Sequence, residues 1–153
     1  MTKILFHDSN ELTQFTGKEV AVSEWLEIKQ SMIQTFADCT NDHQWIHTDV
    51  EKAKKESIYG TTIAHGFLTL SLIPFFLESC IEYPFAKRSI NYGLNKVRFP
   101  HAVTVNSKLR GKFFVQEVIA IEGGIQIEWK INIEIDGIEK PACVADMLIR
   151  LYF

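Results

Sequence analysis

The chain has little of what marks specialised classes of protein. Cysteine occurs three times in 153 residues, at Cys39, Cys80 and Cys143. An odd number, far apart and in no CxxC pair, excludes a disulfide scaffold and fits free thiols in a reducing compartment. Basic charge is not in excess either: 16 Lys and Arg stand against 19 Asp and Glu, a formal net charge of -3. A nucleic-acid partner is therefore not expected. The one basic cluster, Lys52, Lys54 and Lys55, is interleaved with Glu51 and Glu56, the pattern of a solvated helix face. Long apolar runs are missing as well. Within the longest stretch without a formally charged side chain, Gly60 to Leu77 carries His65, several Thr and Ser residues and Pro74, which suits a helix in a protein core and not a bilayer span. Met1 to Asn10 holds no apolar run of secretory length, so the expected location is the cytoplasm, with no membrane partner. No repeat, low-complexity tract or Pro/Gly/Ser-rich linker divides the sequence, and its length suits one domain over residues 1–153.

What is present is a chain that is 46% apolar and changes character near Phe85. The first half reads as helices. Ser23 is a plausible N-cap with Glu24 and Glu27 in the first turn, after which Trp25, Ile28, Met32, Ile33 and Phe36 recur at helical spacing, predicting a helix that ends near Cys39 and Thr40. Asp49 predicts the cap of a short helix through Lys55, followed by a loop at Tyr59 and Gly60. A second long helix starts near Ala64, with Phe67, Leu68, Leu70, Leu72, Phe75, Phe76 and Leu77 on nearly every side, as expected of a helix buried all round.

The second half reads as strands. From Ile125 to Ile135 every odd position is apolar and every even one polar, the signature of a half-buried antiparallel strand. Gly123-Gly124 before it and Asp136-Gly137 after it predict hairpins on both sides. Phe113 to Ile121 and Val144 to Tyr152 are its natural neighbours, and Ile90 to Phe99 and Val103 to Val105 read as further extended segments. A buried helix followed by an antiparallel meander implies an α+β domain whose sheet wraps that helix, the hotdog arrangement.

Two stretches concentrate titratable groups against this apolar background: Phe36 to His47, and Ile63 to Ser71. In the first, Asp42 and His47 follow a helix end, where backbone free of helical geometry lets side chains converge. A carboxylate beside an imidazole is what proton transfer near neutral pH requires. The same residues also admit a structural reading, with Asp42 capping a turn and His47 bonded to backbone, and a metal reading from the four-residue spacing of His43 with His47 and Asp38 with Asp42. In the second stretch Gly66 falls in the first turn of the expected helix, where backbone N–H groups lack intrahelical partners and can polarise a carbonyl oxygen. The alternative is that Gly66 only permits close packing. His65 beside it reads as a buried histidine or a supporting group.

The stretch Phe36 to His47, with Ala53 following, resembles the hydratase motif of the MaoC-like dehydratase family, in which an Asp, an Asn two positions later, a Pro and then a His form the signature. Asp42 and His47 match in identity and spacing. Gln44 stands at the Asn position and Trp45 at the Pro position. Ala64-His65-Gly66 matches the start of the family's helix, and Lys140 to Cys143 is similar to the branch that includes nodulation protein N. The resemblance spans about Val22 to Phe153 and implies a hotdog homodimer that reversibly adds water to a trans-2-enoyl-CoA, giving an (R)-3-hydroxyacyl-CoA. It further implies that Asp42 and His47 hold the water, with the Gly66 N–H on the thioester oxygen and Gln44 and His65 as possible supports. No metal or redox cofactor is expected, coenzyme A entering as part of the substrate. A hotdog thioesterase and a non-catalytic acyl-CoA-binding module are the alternatives.

Overall fold

The structure, a computed structural model, describes residues 3–153. Along the chain come β1 (Ile4–Leu5), α1 (Ser9–Thr13), β2 (Glu19–Val22), β3 (Leu26–Glu27), α2 (Gln30–Thr40), α3 (Trp45–Thr48), α4 (Val50–Glu56), α5 (Gly66–Ser71), α6 (Ile73–Cys80), β4 (Ile81–Glu82), β5 (Arg88–Arg98), β6 (Lys108–Ile121), β7 (Gly124–Ile135) and β8 (Ile138–Tyr152). Six strands form one antiparallel sheet in the order β2-β6-β7-β8-β5, with β3 also paired to β6. β1 and β4 form a separate parallel pair.

The period-two pattern of β7 dictates the layering. Its odd residues, Ile125 to Ile135, are all buried, and Phe113 and Val115 of β6 and Ala145, Ile149 and Leu151 of β8 share that face. Leu68, Ile73, Phe76 and Leu77 of α5 and α6 belong to the same core cluster. Each fully buried Ile or Phe contributes roughly 1.5–3 kcal/mol on removal from water. The other face of the sheet is charged, with Glu134 accepting from Arg110 and Lys112 at 2.7 and 2.9 Å. Both expected hairpins form, and Gly123 and Gly137 take the positive φ the turns require, 72° and 73°. Asp49 caps α4 through the Lys52 N–H at 2.9 Å, and the Lys52, Lys54 and Lys55 cluster lies on that helix, with Lys52 and Lys54 paired to Glu56 and Glu51.

Three expectations are corrected. The helix expected from Ser23 begins instead at Gln30 and has no side-chain cap. Ser23 is committed to the sheet: its N–H donates to the Gly111 carbonyl and its Oγ accepts from the Gly111 N–H, both at 2.9 Å. The long helix from Ala64 is broken into α5 and α6 at Leu72, since Pro74 has no N–H for the preceding turn. It is not buried all round either, because Phe67 is 68% and Phe75 53% exposed. Val103 to Val105 makes no strand of the sheet. It meets the chain before α5 through one bridge, Ile63 with Thr104, flanked by Ala64 N–H to the Val103 carbonyl and Val105 N–H to the Thr62 carbonyl. No helix among the described residues is long and apolar enough to cross a membrane.

Gly124 lies at the start of β7, paired with Tyr152 of β8. A methyl group built there would run into the Leu151 carbonyl, which is backbone and cannot rotate away. Gly124→Ala is therefore expected to destabilise the fold by about 1–3 kcal/mol, the usual cost of overpacking. A lowered urea midpoint with unchanged m-value is the measurement that checks it.

Candidate active site

α2 ends on Asn41, whose φ of 57° is the left-handed conformation that asparagine tolerates better than other side-chain-bearing residues. The turn redirects the chain, and the Asp42 N–H closes it on the Ala37 carbonyl at 3.1 Å. Asp42 leaves the helix with its side chain 56% exposed.

His47 sits in the single turn α3, its N–H bonded to the Gln44 carbonyl at 2.9 Å, and its side chain points inward, where the residue is buried. The imidazole Nδ1 is 2.7 Å from the Ile63 carbonyl oxygen. A carbonyl only accepts, so Nδ1 carries the proton and Nε2 keeps its lone pair. The same segments are tied again by the Ile63 N–H to the Ile46 carbonyl at 3.1 Å. Gln30 completes the clamp: its Nε2 donates to the His47 carbonyl at 2.8 Å and its Oε1 accepts from the buried Thr62 hydroxyl at 2.5 Å.

Burial holds His47 below its ordinary range. The Ile63 bond opposes this, the adjacent His65 ring adds to the lowering, and the Asp42 charge opposes it. The group is thus neutral near pH 7.

His65 immediately precedes α5, and Gly66 is the first residue of that helix. The Gly66 N–H has no hydrogen-bond partner among the described residues. Its Cα side is covered by Phe99, whose ring a Cβ would meet at 3.0 Å. A side chain here would press on the half-exposed Phe99 ring and not on the sheet, while the N–H stays free.

The structure brings Asp42, His47 and His65 together: one carboxylate oxygen and one nitrogen from each ring lie within 4.8 Å of one another. The pairing of His43 with His47 is not made. α3 starts only at Trp45, so the two do not share a helix face, and His43 lies beside Asp38 at 3.7 Å, exposed. For the cluster of three, His47 Nδ1 and His65 Nε2 are taken by carbonyls and the rings are stacked. Their free lone pairs lie in nearly parallel planes and do not converge as ligands must.

Gln44 is exposed, its side chain unbonded among the described residues. Its backbone explains how the loop dispenses with proline. Gln44 has φ -55° and ψ 134°, the conformation a residue before proline is forced to take. Trp45 occupies the first helical position, where a missing N–H would cost nothing. In place of a rigid ring the turn is weighted by Lys52 Nζ, 4.9 Å from the Trp45 ring centroid. Gln30 and Thr62 are the site residues that sequence reasoning missed.

An antiparallel sheet with helices over one face defines a hotdog domain, and it brings Asp42 and His47 together near the start of α5. The family description of a MaoC-like domain matches residues 11–134, and the chain belongs to that family. The 3-hydroxyacyl-thioester dehydratase Z of Mycobacterium tuberculosis is 41% identical over 149 residues, 95% of this chain and 96% of that protein. Nodulation protein N of Rhizobium meliloti is 36% identical over 146 residues, 94% of this chain and 91% of that one. The fold is that of the unliganded (R)-hydratase PhaJ1 from Pseudomonas aeruginosa, with a TM-score of 0.70 at 21% identity over 90% of this chain and 81% of that one.

The depressed His47 has a definite pH signature. Between the folded value and the unfolded value of about 6.5 the unfolded chain binds more protons, so this contribution to stability is complete above that window and is lost as pH falls through it. NMR titration of His47 is expected to give a midpoint below 6.5, with the Nδ1–H tautomer on the alkaline side.

Proposed function

We propose that the protein is an acyl-CoA hydratase/dehydratase that adds water reversibly and syn to a trans-2-enoyl-CoA, giving an (R)-3-hydroxyacyl-CoA. The observation that carries this reading is the tautomer-fixed His47 within 4.8 Å of the Asp42 carboxylate. One water bonded to both at about 2.8 Å, with a tetrahedral angle between the bonds, spans roughly 4.6 Å. His47 Nε2 is the base: it takes a proton from that water as the oxygen bonds to C3, while Asp42 orients the water and stabilises the imidazolium. The C2–C3 π electrons move toward the thioester oxygen, where the Gly66 N–H receives the developing enolate charge. The proton then passes to C2 on the same face, so the hydroxyl and hydrogen added are those of one water. Neither a metal nor a redox group enters the sequence, and coenzyme A is present only as part of the substrate. Three free cysteines, Cys39, Cys80 and Cys143, support a reducing, cytoplasmic location.

The decisive experiment follows the enoyl thioester absorbance across a panel of enoyl-CoA chain lengths. Loss of absorbance without free thiol is expected. Thiol release would identify a thioesterase, and CoA binding without turnover an acyl-carrying module.

We also propose a homodimer. β5 is one edge of the sheet, and it presents Ile90, Tyr92 and Leu94 with Phe67 and Phe75 also exposed. An exposed apolar edge of this kind is ordinarily covered. Sedimentation at micromolar concentration is expected to give twice the 17.6 kDa chain mass, and a stable monomer would refute the arrangement.

For the chemistry, Asp42→Asn and His47→Ala are each expected to lower hydration at least ~10²-fold. The double variant should be little worse than the worse single, because both side chains hold one water. His43→Ala should be near wild type.

A further inference from the structure

His65 takes part in none of these steps, yet it lies at the centre of the site with its side chain 4% exposed. Its Nε2 is 3.0 Å from the Asp42 carbonyl oxygen, so that nitrogen carries the proton. The ring lies on His47 with 3.8 Å between centroids and 27° between planes, and Phe36 packs on it at 5.1 Å. The other nitrogen, Nδ1, is buried without a hydrogen-bond partner, an unmet acceptor that costs about 1–3 kcal/mol. A leucine or phenylalanine would fill the space without that penalty. Something other than packing therefore favours an imidazole here.

The connections of the ring supply a reason. Asp42 stands at the end of α2 on a left-handed turn, and its N–H bond to Ala37 holds only one side of the residue. The carbonyl side is held by His65. Rotation about that peptide would swing the carboxylate, and a misplacement of about 1 Å can lower a rate ~10²-fold. The same ring presents a flat surface to His47. We propose that His65 is a positioning residue for hydration: its Nε2–H fixes the Asp42 main chain and its face fixes the plane of His47, so one side chain sets the separation of the catalytic pair. This rests on the hydratase reading above.

Three variants separate the donor from the ring. His65→Phe keeps a flat ring and loses the donor, His65→Gln keeps an N–H at similar reach, and His65→Asn is one bond too short. With the enoyl-CoA the wild type hydrates fastest, His65→Phe and His65→Asn are expected to lose at least ~10-fold in kcat with KM within about twofold. His65→Gln should recover most of that loss. Folded Phe and Asn variants with kcat near wild type, or all three variants losing kcat alike, overturn the proposal. If His65→Phe does not fold, the Gln and Asn pair decides.

The second readout needs no activity. Asp42 and His65 are the titratable groups facing His47, and Asp42 remains in every variant. NMR titration of His47 is expected to move to higher pH in His65→Gln, and an unchanged midpoint counts against the coupling. A wild type without hydratase activity would defeat the functional reading, while this titration would still judge His65.

Discussion

The bond from His47 Nδ1–H to the Ile63 carbonyl, 2.7 Å long, is the constraint on which the rest of the site depends. A carbonyl cannot donate, so the bond decides which ring nitrogen is free. It also spans the two stretches that hold the chemistry, joining the turn that contains His47 to the segment leading into α5. Histidine as a base needs a fixed tautomer as much as a suitable pKa, and here a single backbone acceptor supplies it. The Gln30 and Thr62 bonds lock the same junction from behind. No charged partner is buried in doing so, and the Asp42 carboxylate nearby stays half in solvent.

The sheet and the site meet through α5 and the segment before it, and through α2, whose Ile33 belongs to the same core cluster. The core face of β6, β7 and β8 is covered by α5 and α6, and the first residue of α5 is the glycine with the free N–H. Burying the helix thus fixes where that N–H lies. Phe67 and Phe75 on the outer side of the same helices carry no core duty in the single chain. The proposed dimer would give them one.

The meander was legible because its determinants are local. Strict alternation from Ile125 to Ile135 and two turn pairs define strand, face and register within a few residues of each other. That Asp42 and His47 would come together was legible through motif spacing. What sequence could not show involves partners far along the chain. Ser23 has every mark of an N-cap, yet it is used by Gly111, 88 positions later. The acceptor for His47 is a main-chain carbonyl, and a carbonyl leaves no trace in residue identity. Gln30 is an ordinary first-turn residue until Thr62 and His47 are seen around it. The break at Leu72 was within reach of inspection, since Pro74 stood in plain view. The apolar surround of the helix concealed it, because a helix with exposed aromatics such as Phe67 and Phe75 looks from composition like one buried all round.

The order of elements along the chain carries a kinetic consequence. Every group proposed for the chemistry lies at or before Gly66, whereas four of the six strands of the sheet, β5 to β8, lie from Arg88 onward. During synthesis, α2, α3 and α5 emerge before any surface exists for them to pack on. β6, β7 and β8 are joined by tight turns and close locally, but β5 must wait for β8, the last strand to appear. The helices of the site therefore reach their final packing only once β6, β7 and β8 have been made, and their apolar faces are uncovered until then.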